Sequence, residues 1–206
     1  MRIEHAGNCP VVDADATIAT TAVLSGEVKV ESGACILHGA VITAESGAIS
    51  IGAETIVMEN AVIRGTARHP VAIGNNVLVG PRAYLSGCTV EDEAFLATGV
   101  SIFNGAVIGH GAQVRINGVV HIKTRLAPDA VVPIGWVAVG NPAKILPPDR
   151  HDEIWAIQKE LDFPGEVFGL KRPAGAKGLG PIMPALTRRY ARALASHRDD
   201  RVIEDF

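Results

Sequence analysis

His121 and the arginines Arg64, Arg82 and Arg115 are the side chains of this 206-residue chain best suited to chemistry. An imidazole changes charge near neutrality and serves as a general acid or base. A guanidinium fork holds a carboxylate or phosphate through two parallel hydrogen bonds. Glu59 adds a carboxylate, Ser86 and Tyr84 add hydroxyl donors, and Asn60 and Asn117 add amides. These residue types suit acid–base work on a small anionic molecule, with His121, Glu59, Ser86 and Tyr84 as the catalytic candidates. Arg64, Arg82, Arg115, Asn117 and Asn60 are the substrate-binding candidates. The competing reading is a solvated face whose arginines pair with acids on neighbouring strands.

The remaining functional residues form no familiar constellation. His69 lies in Gly65-Thr66-Ala67-Arg68-His69-Pro70; His38 and His110 follow aliphatic positions and face outward; His5, His151 and His197 share no motif spacing. There is no His-x-x-x-His pair, glycine-rich phosphate loop or Gly-x-Ser-x-Gly elbow. Cys9, Cys35 and Cys88 make an odd count without a Cys-x-x-Cys spacing. That argues against a disulfide framework or a thiolate metal site and points to a reducing compartment. With no apolar run of membrane-spanning length and no secretory leader pattern, the expectation is a cytoplasmic protein away from membranes. A net charge of −3 leaves no broad nucleic-acid footprint.

A repeat must position these residues. Aliphatic anchors recur at Ile73, Val79, Leu85, Val90, Leu96, Ile102, Ile108, Val114, Val120, Leu126 and Val132, with one five-residue step at Leu85–Val90. Small residues, or valine, stand four positions after most anchors. Neither helix nor simple strand has a period of six, whereas a solenoid with six residues per side and three sides per coil does. The period begins at Val12 and carries two excesses, around Glu45–Ala48 and within Gly65–Pro70, which must bulge outward. About seven coils result, on the order of 34 Å tall at strand spacing. Hydrophobic content of 48% with only 4% aromatic fits a narrow interior filled by Val, Ile, Leu and Ala.

The spacing gives three segments. Residues 1–145 form the all-β solenoid, residues 1–11 leading in over its open end. Residues 146–163 hold a helix over about 150–162, capped by Asp149, that docks on the solenoid or a neighbour. Residues 164–206 are a linker over Gly165–Pro181 and a short amphipathic helical tail over about 183–197. In register, one position after the anchors of one side, Thr43, Arg64, Ser86, Phe103 and His121 form a column.

The segments Ile73-Gly74-Asn75-Asn76-Val77-Leu78-Val79-Gly80, Leu85-Ser86-Gly87-Cys88-Thr89-Val90 and Val139-Gly140-Asn141-Pro142-Ala143-Lys144 resemble the γ-class carbonic anhydrase family. Thr55-Ile56-Val57-Met58-Glu59-Asn60-Ala61-Val62-Ile63 sits where that family has its Asn-Ile-Gln-Asp segment. The similarity spans roughly residues 12–162. It implies a left-handed parallel β-helix, a handedness opposed to the usual crossover rule, and a homotrimer with its site in the cleft between subunits. The family's three zinc-binding histidine positions fall on Arg64, Pro81 and Ser86. Its arginine and aspartate fall on Thr43 and Glu45, and its glutamine-aspartate pair on Met58 and Glu59. Arg64 cannot ligate zinc and Pro81 has no side-chain donor, so the expectation is a lost zinc site, no cofactor and no conventional zinc carbonic anhydrase activity. The neighbouring subunit would present Glu59, Asn60, Pro81, Arg82, Arg115 and Asn117 to the His121 column.

Three functions are consistent with this reading. The first is an enzyme of lyase, hydrolase or transferase type, acting on a small carboxylate or acyl anion in the intersubunit cleft. The second is a hexapeptide-type acyl-CoA transferase, with the pantetheine arm along the groove and His69 as base, since such enzymes often place a catalytic histidine on an outward loop. The third is a non-catalytic structural or assembly member.

Overall fold

The six-residue period becomes three parallel sheets wrapped into one left-handed β-helix. The computed structural model describes residues 1–161, 163–170 and 178–203. The first face stacks seven strands from Val11–Val12 to Arg125–Leu126, and the second stacks seven from Thr17–Ile18 to Val131–Val132. The third runs from Val23–Ser25 to Val137–Val139. One strand from each face closes a coil, giving seven complete coils. Parallel ladders put like positions above one another: Ile63 pairs with Ile42 below and Leu85 above, and Leu85 pairs with Ile102. All four are fully buried.

Most corners follow one local rule. Three residues after an anchor the backbone turns left-handed, and the next residue is small and buried. Asn60 (φ 58°), Arg82 (φ 57°), Gly99 (φ 70°) and Asn117 (φ 56°) form such a column, followed by Ala61, Ala83, Val100 and Gly118. Asparagine and glycine tolerate this region far better than other residues. The asparagine side chains then fold back over the glycine one coil below, Asn60 over Gly39 and Asn117 over Gly99. Asn60 and Asn117 therefore each have a backbone reason for their position that the spacing alone did not reveal, whereas Arg82 takes the same left-handed turn without that preference.

Both excesses and the short step fall on one corner, between the third and first faces. The loops around Gly47 and Gly65 stack backbone on backbone, so a Cβ on Gly65 would meet the carbonyl oxygen of Gly47, and one on Gly47 would meet that of Thr66. Gly65→Ala is expected to cost about 1–3 kcal/mol, the range of overpacked interiors, read as a lower denaturant midpoint at unchanged slope.

The ends of the third face are covered. Arg2–Glu4 extends it in parallel beyond Val23–Ser25, and Lys144–Leu146 closes the other end antiparallel to Val137–Val139. The helix after the coil is His151–Gln158, continued as 3-10 turn over Lys159–Leu161. Arg150, not Asp149, stands at its N-cap, and no side chain caps it. Ile154 is its buried contact, while Trp155, read as part of the apolar stripe, is exposed. The extended linker read over Gly165–Pro181 lies partly outside the described residues; its described start belongs to the helix Phe163–Phe168.

The amphipathic helix Met183–Leu194 folds back onto its own solenoid. Leu186 is buried, and the following strand Arg201–Ile203 pairs antiparallel with Arg2–Glu4. Among the described residues no helix is long and apolar enough to cross a membrane.

Candidate functional site

Arg64 lies on the third face in register with Thr43 and Ser86, so the column read from the repeat exists in the fold. Its guanidinium is half-buried and pairs with Glu45 at 3.1 Å. It also lies 5.7 Å from the centre of the Tyr190 ring, supplied by the C-terminal helix. The tail thus roofs the arginine that the sequence left open to a cleft, and a cavity of about 370 Å³ remains between roof and solenoid. It is lined by Arg64, Arg68, His69, Asn104, Glu166 and Arg189, among others.

Two of the arginines lining the cavity are held by backbone oxygens. Arg68 donates to the backbone oxygen of Gly165 at 3.4 Å and Arg189 to that of Gly169 at 3.1 Å. Neither forms a salt bridge among the described residues. Lys123, by contrast, is neutralised by Glu166 at 2.7 Å, and the lysine's hydrogen bond holds that carboxyl below its ordinary range.

His69 sits beside this pair. A Cβ on Gly87 would meet His69, and one on Gly105 would lie 3.4 Å from both His69 and Lys123, so the two glycines leave room for the histidine along the corner. Burial holds the His69 pKa below its ordinary value; Glu166 opposes the shift, and Lys123 and Arg68 add to it. A histidine biased toward its neutral form, in a cavity that two arginines also line, is equipped to accept a proton from an anion bound there.

Of the nine catalytic and substrate-binding candidates only Arg64 lines this cavity; His69, the base of the acyltransferase reading, lines it too. Ser86 is buried and donates to the Asn104 side chain at 2.8 Å, which ties it to the cavity wall. Tyr84 packs its ring 5.9 Å from Phe103. Glu59, half-buried, and the exposed Asn60, Arg82, Arg115 and Asn117 stand at or beside the corner between the second and third faces. The Arg115 guanidinium donates to the Gln113 side chain at 3.4 Å. His121 is half-buried on the third face, and its Nδ1 atom is buried without a hydrogen-bond partner among the described residues. Burial also lowers its pKa.

Its titration by NMR is therefore expected below the ordinary histidine range. Because the folded pKa lies below the unfolded one, the unfolded chain takes up the proton first, so this group's contribution is intact above about pH 6.5 and is lost on acidification. A midpoint at or above that value would show the ring to be solvated or charge-paired.

The sequence reading missed Arg68, Arg189, Tyr190, Asn104 and Glu166. One signal was available: both loop excesses and the short step map to one corner, where anything folding back would find concave space. His69 was noted only as a loop base for an acyltransferase. Cys88 is buried and its thiol is pushed up to about 12 by that burial, consistent with a small core residue.

The positions assigned to the family's zinc ligands do not fit that ion. The Arg64 guanidinium is a cation already paired with Glu45, Pro81 has no side-chain donor, and the Ser86 hydroxyl is engaged with Asn104. Three nitrogen, sulfur or carboxylate ligands at one point are required.

No family model matches the chain. It is 33% identical over 200 residues to Gamma carbonic anhydrase 1, mitochondrial, of Arabidopsis thaliana, across 94% of this chain and 70% of that protein. It is 34% identical to Gamma carbonic anhydrase 2, mitochondrial, of the same plant, across 89% of this chain and 66% of that protein. An alignment over 94% of the chain must pass residue 162, so the similarity reaches into the tail, beyond the 12–162 span carried by the motifs. Among solved structures, a hexapeptide transferase family protein from Anaplasma phagocytophilum superposes with a TM-score of 0.51 at 28% identity, covering 76% of this chain and 89% of that one. A structure from Bacillus cereus superposes with a TM-score of 0.61 over 76% of this chain and 90% of that one, and at 23% identity it shows the fold alone. Coil register, corner glycines and this sequence identity agree: the chain belongs to the gamma carbonic anhydrase family.

Proposed function

We propose that the chain is a family member without the zinc triad, which binds a small carboxylate or acyl anion beneath its C-terminal helix and acts on it by proton transfer. The observation that carries this reading is the pair of guanidinium groups, Arg68 and Arg189, that line one cavity and form no salt bridge among the described residues. Arginine forks suit a carboxylate, and His69, held neutral by burial, is the nearby base.

In a homotrimer, which the family resemblance implies, a neighbour would bring Glu59, Asn60, Arg82, Arg115 and Asn117 toward His121, Ser86 and Tyr84. The Nδ1 of His121, buried without a hydrogen-bond partner among the described residues, supports such a contact. The cytoplasmic assignment rests on the three unpaired cysteines, while the two plant relatives carry mitochondrial names.

A second reading, an acyl-CoA transferase with His69 as base, draws support from the place of that histidine at the cavity wall. One experiment tests both. A panel of small carboxylates and acyl-CoA thioesters is titrated into the wild type and His69→Ala, following melting temperature and turnover. The proposal expects a carboxylate to stabilise both proteins, with any turnover lost only in the variant, and expects zinc supplementation to give no carbon dioxide hydration. Acyl transfer to an added acceptor would establish the second reading. No stabilisation by any carboxylate, or robust zinc-dependent hydration, would overturn the first.

A further inference from the structure

A second cluster of chemically capable groups lies where the tail strand meets the start of the chain. His5 is 2% exposed, and its ring stacks on that of His197 with centroids 4.4 Å apart. The Asp200 carboxylate reaches both: Oδ1 lies 2.6 Å from Nδ1 of His5, and Oδ2 lies 2.7 Å from Nδ1 of His197. Glu45 closes the opposite end. Its backbone oxygen is 3.3 Å from Nε2 of His5, and its carboxylate is 3.1 Å from Nε2 of His197.

All four ring nitrogens therefore face oxygen acceptors. A neutral imidazole carries one N–H and one lone pair, so each neutral ring must turn a lone pair toward an oxygen. If both rings donate Nε2–H to Glu45, both Nδ1 lone pairs face the Asp200 carboxylate, one toward each oxygen. Metal-binding histidines are commonly held this way, with the far nitrogen donating to a carboxylate or a backbone carbonyl.

We propose that His5, His197 and Asp200 form a binding site for a divalent transition-metal ion of the zinc class, with Glu45 orienting both histidines. The three ligand atoms lie within 4.8 Å of one another. Tetrahedral coordination with bonds of about 2.0–2.1 Å sets neighbouring ligands roughly 3.4 Å apart. The two short contacts to Asp200 open by under about 1 Å to admit the ion, a shift within reach of side-chain torsions. The site is distinct from the family's, whose positions fall on Arg64, Pro81 and Ser86. It goes beyond the anion reading, which stands or falls without it. Because His197 and Asp200 belong to the tail and His5 to the solenoid end, an ion here would fasten the roof of the Arg64 cavity. A second proton on each ring is the competing way to satisfy the same contacts.

The test uses the full chain stripped with EDTA at pH 7.5 and titrated with Co²⁺. The expected result is one equivalent per chain, with visible d–d bands that Zn²⁺ abolishes, and a raised melting temperature. His5→Gln and His197→Gln should lose the bands, whereas the surface variant His110→Gln should keep them. Glu45→Gln should weaken binding about 10- to 100-fold, the usual effect of losing an outer-shell partner. Asp200→Asn, which preserves size, guards against variants that fail to fold; a native circular dichroism spectrum with lost bands supports the site. Absence of stoichiometric Co²⁺ binding by the wild type, the result expected of double protonation, would overturn it. So would bands that survive in His5→Gln or His197→Gln.

Discussion

Leu85→Ala is expected to lower the unfolding free energy by about 2–5 kcal/mol, the range for truncating a fully buried leucine. Leu85 has no exposure and lies in register between Ile63 and Ile102, themselves fully buried. The spread within that range reflects how far a site collapses around the void. Collapse is restricted here because hydrogen-bonded rungs fix the coils above and below at about 4.8 Å. A solenoid also couples each coil chiefly to its neighbours, so a weakened coil breaks the stack at its middle. Ile56, 37% exposed on the second face, is the matched control. Its alanine variant should change stability by no more than about 0.5–1 kcal/mol. Urea denaturation with equal slopes would measure both, and a Leu85 effect no larger than the Ile56 effect would refute the close-packed interior.

Arg189→Ala and Arg68→Ala should each weaken carboxylate binding by about 10- to 100-fold, since a hydrogen bond to a charged group contributes roughly 1.5–3 kcal/mol. Among the described residues both guanidinium groups hydrogen-bond to backbone oxygens and form no salt bridge, so an anionic ligand would give each a direct carboxylate partner. Arg64 should matter differently. Glu45 already neutralises it and Tyr190 covers it, so its loss should loosen the tail before it weakens the ligand. Calorimetric titration at two salt concentrations separates a local fork from general attraction, because exposed charges are screened within about 10 Å at 0.1 M salt. Affinity unchanged in both variants would remove the cavity as the anion site.

The coil itself was fully legible. A period of six with inward aliphatics and buried small corners admits few other solutions, and the count of seven coils needed only the anchors. The helices at 151–158 and 183–194 were legible from their apolar stripes. The left-handed corners were not read, and Asn60 and Asn117 entered the ligand list without their backbone explanation. Asparagine serves both roles, and its spacing alone cannot say which one applies.

The repeat also placed Arg64 and Ser86 one above the other, because pairing register follows directly from period. What period cannot convey is where a segment outside the repeat comes to rest. Arg189 and Tyr190 are more than a hundred residues from Arg64 in the chain, and His197 and Asp200 are as remote from His5. They meet because Arg201–Ile203 completes the edge left by Arg2–Glu4, a non-local pairing with no counterpart in local patterning. The sequence alone determined the solenoid and its register, since both follow from short-range repetition and residue type. The tertiary structure alone decided that the tail roofs the arginine column and brings two histidines and a carboxylate together, because those contacts join distant parts of the chain across one sheet edge.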